Sequence, residues 1–359
     1  MRKALVALLL AALAGAGCGR SDDGPRVEVW RFAIEEIEGS VQHAWAERFA
    51  ALVAERSGGD VRVEVYPYGS LGTSAQLTEQ VQSGALQLAF ASPGHLGSVI
   101  PEVQVFSLHF LLSDDEARNQ EILAASAEDT EWRRLLEEAY REHRLELLAI
   151  VPEGWMVWTA DRPLRTLDDF AGLKMRTMVS PLLVEAYAAY GANPTPMPYA
   201  EVYGGLQLGM IDAQVNPVFA IEEMSFYEVQ DFMTFAHHAP FIATVVASPD
   251  FVDGLSAERA TLLREVVHEL GPWALETQQR FNAERLERIL DAGGTEAVTL
   301  DADEREAFRK ASLPVRDVYV ELAGPRGAAI LASLSEAVAS DASDDEPSDA
   351  SAGEARPAP

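Results

Sequence analysis

Arg26-Val-Glu-Val-Trp-Arg-Phe-Ala-Ile34 alternates Val27 and Val29 with polar residues before a run of aromatics, the two-residue period of a β-strand. Ser40 follows as a helix cap, and Val41, Ala44, Trp45, Phe49, Leu52 and Val53 share one face of the helix it starts, which Gly58-Gly59 stops. Val61 to Tyr66 is a second strand, Thr73 to Gln82 a helix ended by Gly84, and Leu86 to Ala91 a third strand running into Ser92-Pro93-Gly94. This order of strand, helix, strand, helix, strand predicts an α/β fold built on parallel strands.

Outward from there the pattern changes. Glu131 to His143 is a charged helix, Leu145 to Val151 an apolar strand, and Trp155 to Thr159 a separate short strand entering a new set of elements, so the first crossing between two lobes is placed here. Leu173 to Thr177, Ile211 to Val215 and Phe241 to Ala247 read as further strands. Pro181 starts the helix Leu182 to Tyr190, and Tyr199 to Gln207 is a helix ended by Gly209. Ala257 to about Leu290 is a helical tract interrupted only by Gly271-Pro272, long enough to run across both lobes.

The chain has 359 residues, about right for two domains with a leader and a tail. Its 57 acidic and 28 basic residues leave a net charge of -29, which would repel nucleic acid and anionic lipid. Met1-Arg-Lys3, an apolar run from Ala4 to Ala14 and small residues up to Cys18 make a secretory signal, too short to span a bilayer. Cys18 is the only cysteine, so it serves no intramolecular disulfide, and its position resembles the lipidated cysteine of a bacterial lipoprotein, although Gly15 stands where such signals usually carry leucine. The expected organisation is a signal over residues 1–18, a tether over 19–26, a first lobe of 27–153 plus 241–280, a second lobe of 154–240 plus 281–336, and a disordered acidic tail over 337–359. Membrane contact is expected only through the lipid anchor.

The stretch Gly172-Leu-Lys-Met-Arg-Thr177, followed by Gly191-Ala-Asn-Pro-Thr-Pro-Met-Pro-Tyr-Ala-Glu-Val-Tyr-Gly-Gly-Leu-Gln-Leu-Gly-Met-Ile-Asp-Ala-Gln-Val-Asn-Pro217, resembles the solute-binding subunit of tripartite ATP-independent periplasmic (TRAP) transporters, the DctP family. Tyr66-Pro-Tyr-Gly-Ser-Leu-Gly72 and Gln82-Ser-Gly-Ala-Leu-Gln-Leu-Ala89 agree with it. The resemblance implies a two-lobed periplasmic-binding-protein fold with crossing strands and a long helix. It also implies capture of a small organic acid and its delivery to separate TRAP membrane permease subunits. The alternative is a receptor for an ATP-driven importer or a chemosensory binding protein, which would lack the central motif.

Arg176 is the first candidate for contact with a ligand. It ends a strand, where open α/β sheets hold their ligands, and its guanidinium offers a carboxylate two parallel donors. The matching arginine of the family clamps the ligand carboxylate. Asn216 and Tyr199 match a family amide and a family aromatic at the ligand, although an Asn before Pro217 also suits a turn. Met156 stands where the family often has arginine, and with Trp158 on the same strand face it suggests a pocket for a monocarboxylate with an apolar body. Glu35 and Glu38 after the first strand, Ser92 after the third, and Phe219 complete the set; Tyr68 and His109 are weaker candidates. No nucleophile with its base, metal set or phosphate loop appears, so neither catalysis nor a cofactor is expected.

Overall fold

The computed structural model describes residues 27–126 and 128–340. The signal with Cys18, the tether through Arg26 and the acidic segment beyond Ser340 lie outside the described residues. Residues 337–340, assigned to the tail from sequence, are instead the last turn of the helix Val315–Ser340.

The described chain lays down β1 (Glu28–Ala33), β2 (Val61–Tyr66), β3 (Leu88–Ala91), β4 (Glu146–Ala160), β5 (Lys174–Thr177), β6 (Asn193–Pro196), β7 (Ala213–Pro217), β8 (Phe232–Phe235), β9 (Pro240–Ala247) and β10 (Glu296–Thr299). In the first lobe the order is β2-β1-β3-β9-β4, and in the second β4 continues beside β7-β5-β6 on one edge and β8-β10 on the other. The β1–β2, β1–β3, β5–β6, β5–β7 and β8–β10 pairs are parallel, as expected. Those of β9 with β3, and of β4 with β7, β8 and β9, are antiparallel, so the sheets are mixed.

The two strands expected at Leu145 to Val151 and Trp155 to Thr159 are one 15-residue strand, β4. Its first part pairs with β9 in one sheet and Met156 to Ala160 pair with β7 in the other. Pro152 and Gly154 do not end the strand because the register slips between them, the bulge that lets a proline and a twisted glycine sit in a ladder. Gly154 has φ +113, and a Cβ there would overlap the Asn282 amide. Asn282 Nδ2 donates to Glu153 O at 3.0 Å, and its Oδ1 accepts from Phe219 N at 3.1 Å, so one side chain holds the crossing strand and a second-lobe helix together.

Asn282 belongs to the helix Ala257–Ala292, 36 residues and about 54 Å long at 1.5 Å per residue. Pro272 removes one backbone donor without ending it, contrary to the interruption expected. Leu262, Leu263, Val266, Leu270 and Ala274 bury against the first lobe, where Phe32 stacks on Phe90 and Trp45 on Phe49 at 5.6 and 5.5 Å. Ile289 buries in the second lobe, with Leu286 partly buried beside it. Each aromatic pair adds about 1 kcal/mol beyond its buried area.

The helix Val41–Arg56 starts where Ser40 Oγ accepts from His43 N at 3.0 Å, and Ser74–Gln82 starts with a Thr73/Gln76 capping box. Residues 315–336, expected in the second lobe, pack chiefly elsewhere. Val315, Tyr319, Ile330 and Leu334 share a buried cluster with Val103, Trp132 and Leu136 of the first lobe, and Tyr319 donates to Glu102 O at 2.9 Å. The apolar face of that last helix alone does not say which lobe it covers.

Candidate ligand-binding site

The strands place polar residues at their carboxyl ends, facing one another across the cleft. β1 runs into Glu35 and Glu36, β3 into Ser92, β5 carries Arg176, and β7 carries Asn216. Together with Tyr68, Tyr199 and Phe241 they line a cavity of about 240 Å³ between the lobes.

Arg176 is 1% exposed. Its Nε and Nη2 donate to Met197 O at 3.1 and 2.9 Å, and it forms an ion pair with none of the described carboxylates. Burial lowers its pKa to about 10, where the guanidinium is still charged at neutral pH. Asn216, 7% exposed, donates Nδ2 to Gln214 Oε1 at 2.5 Å, and Gln214 in turn donates to Thr159 Oγ1 at 3.0 Å. This chain of amides fixes the Asn216 side chain from beneath. The rings of Tyr68 and Tyr199, one from each lobe, meet edge to face at 6.2 Å.

The opposite wall is acidic. Glu35 Oε2 accepts from Ser92 N at 2.7 Å, and Oε1 lies 3.2 Å from His95 Nδ1. Glu36 accepts from Gln42 N at 3.2 Å, and burial pushes its pKa up to about 7. Beneath it Glu153 is fully buried, and among the described residues no donor reaches either of its oxygens in good geometry. The Glu36 carboxyl, which it can meet only by sharing a proton, and the Gln42 amide act on it. Burial, then Glu36, raise its pKa well above the usual range. Among the described residues the cavity therefore presents a guanidinium on one side and a wall of carboxyl groups on the other, a dipolar slot.

Residues 32–321 match the family described as "Bacterial extracellular solute-binding protein, family 7", DctP. The chain belongs to that family. It is the solute-binding protein of a TRAP transporter, as the central motif implied, and a binding protein rather than an enzyme. It is 40% identical over 303 residues to the ectoine-binding periplasmic protein TeaA of Halomonas elongata, covering 84% of this chain and 87% of that protein. It is 38% identical over 322 residues to the ectoine/5-hydroxyectoine-binding periplasmic protein UehA of Ruegeria pomeroyi, covering 89% and 94%. A TRAP periplasmic solute-binding protein of Marinobacter aquaeolei VT8, solved in an apo open form, superposes with TM-score 0.81 at 50% identity over 86% of this chain and 99% of that one. The family is periplasmic, and among the described residues no helix is long and apolar enough to cross a membrane.

In this TRAP binding protein, Arg176, Asn216, Tyr199, Glu35 and Ser92 come together at the cavity, with Tyr68. Four expected residues and the weaker candidate His109 do not. Trp158 is fully buried among Phe170, Tyr190 and Phe308, donating its indole N–H to Tyr187 at 3.1 Å. Met156 shares that core, as strand alternation predicts, but borders a separate small cavity. Alternation shows which side chains share a face and not which face meets the cleft. Glu38 is exposed on the loop before the 41–56 helix, and Phe219 is buried under it against Val41. His109 is a core histidine, with Nδ1 2.7 Å from Tyr190 OH. Sequence reasoning passed over Glu36, one residue beyond Glu35, along with Gln42 and His95. Extending the β1 loop by one residue would have found Glu36; nothing in the sequence marks Glu153, inside an apolar strand, as its partner.

Proposed function

We propose that the TRAP binding protein carries a small solute with a single carboxylate, held by Arg176 and Asn216, whose body places a cationic or hydrogen-bond-donating group against Glu35 and Glu36. The buried guanidinium, which none of the described carboxylates pairs, carries this reading, since a charge kept out of water without a counter-ion is costly unless a ligand supplies one. A second carboxylate on the solute would face the acidic wall. The ligands for which TeaA and UehA are named fit the slot, because ectoine is a compact ring bearing one carboxylate and one amidinium.

The test is a thermal-shift and calorimetric comparison of ectoine, succinate and a neutral polyol on the soluble chain. Ectoine at about 100 times its Kd should add about 2.7 kcal/mol of stability, which is a rise of several degrees in Tm at roughly 2–4 °C per kcal/mol. A response to succinate alone, or to the polyol alone, overturns the one-carboxylate reading.

Cys18 supports a lipid tether as the site of attachment after signal cleavage. Mature protein should then sediment with membranes and carry an acylated residue 18 by mass spectrometry, and Cys18→Ser should release it. Native protein found in the soluble periplasmic extract with a free thiol would sink the tether.

A further inference from the structure

A second cavity of about 30 Å³ adjoins the first, and Met178 and Phe241 stand in the walls of both. Met178 follows β5 in the second lobe, and its Sδ and Cε lie so close to Gly94 of the first lobe that a Cβ on Gly94 would overlap them. A methionine is the side chain best suited to a movable partition, with three rotatable bonds and little shape of its own.

Among the described residues no charged side chain lines the second cavity. Its polar wall is made by His109, Tyr187, His238 and Ser107, and burial keeps both histidines neutral, lowering their pKa well below the ordinary value. Trp158 Nε1 donates to Tyr187 OH at 3.1 Å, and Tyr187 OH lies 3.2 Å from His238 Nε2. The arrangement that satisfies most of these groups has the Tyr187 O–H donate to Nε2, which places the imidazole proton of neutral His238 on Nδ1. That atom is buried and has no hydrogen-bond partner among the described residues, on a residue 1% exposed. A buried donor left unpaired costs about 1–3 kcal/mol.

We propose that the second cavity is a subsite of the ligand cavity, closed off by the Met178 side chain, which takes the uncharged end of a longer solute, one or two heavy atoms ending in an oxygen acceptor for His238 Nδ1–H. The size follows from the volume, since roughly 10–15 Å³ on this measure holds one water. The lack of charge follows from the lining, and the acceptor from the unpaired donor. The inference rests on the carboxylate being held at Arg176, so that the rest of the solute points inward past Met178.

The test titrates ectoine, 5-hydroxynorvaline and norleucine, the last two being zwitterions of equal length that differ in a terminal hydroxyl, into native protein and Met178→Ala. Met178 is partly exposed, so its truncation leaves the fold standing. Met178→Ala should bind 5-hydroxynorvaline about tenfold more tightly than native protein does, and prefer it to norleucine by about tenfold, the equivalent of one hydrogen bond. An unchanged ratio in the variant, a preference for norleucine, or no binding of either tail while ectoine still binds overturns the subsite alone. Failure of all three solutes overturns the carboxylate reading with it.

Discussion

Arg176→Met is expected to abolish carboxylate binding while leaving the ligand-free protein at least as stable as the native one. In the ligand-free protein the guanidinium is desolvated for the sake of one carbonyl, Met197 O, and no described carboxylate offsets that cost. A methionine fills much the same volume without a charge to bury, and replacing buried ionic groups by apolar ones of similar size is often neutral or stabilising. With solute bound the balance reverses. A carboxylate and a guanidinium form paired charge-assisted hydrogen bonds, and truncating one partner of such a buried pair costs about 2–5 kcal/mol, or roughly 30-fold to several thousand-fold in Kd. Arg176→Lys keeps the charge and loses the fork, so it should bind measurably but more weakly. Melting curves without solute and calorimetry with ectoine separate the two effects. A fall in Tm with affinity retained would make Arg176 a structural residue.

Glu153→Gln is expected to flatten the pH dependence of stability and to raise Tm at pH 8. Glu36 and Glu153 both have raised folded-state pKa values, chiefly through burial, with Glu35 adding further repulsion to each. An acid whose pKa is higher folded than unfolded binds more protons in the native state, so stability is greatest below the unfolded value near 4.5 and declines as pH rises toward about 7, where Glu36 gives up its proton. Around the pair lie Ser40, Gln42 and Glu35, with Glu223 also within electrostatic reach of Glu36, and none of them supplies a positive charge. An amide at position 153 cannot ionise and can donate to Glu36. The gain at pH 8 should be about 1–3 kcal/mol, read as several degrees in Tm. A native Tm that does not fall between pH 5 and pH 8, or a variant that melts lower at pH 8, would show that the two carboxyls do not share a proton.

The parts of the fold written in local chemistry were legible. Ser40, Thr73 and Pro181 begin helices where capping rules place them, and the alternation near Arg26 marks a strand. What the sequence hid depends on partners far along the chain. Pro152 and Gly154 look like punctuation because their neighbours β9 and Asn282 are some 90 and 130 positions away; only with those in place does a bulged, continuous strand become the lower-energy solution. The candidate site follows the same division. Arg176, Asn216, Ser92 and Glu35 sit at strand ends and can be named from topology, whereas the burial of Trp158 and the Glu36–Glu153 contact arise from packing between segments more than a hundred residues apart or across a sheet.

β4 serves both sheets without a break, under a glycine that tolerates no side chain against Asn282. Neither half of the molecule therefore owns a complete set of strands. A lobe cut from this chain would carry a raw sheet edge, and a lobe borrowed from a relative would have to match the register of a strand that already belongs to the other half. Exchange of halves between relatives therefore carries a cost that exchange of single side chains does not. A change of solute preference disturbs the frame least when it is made by side chains at the rim and floor of the cleft, which leave the shared strand in place.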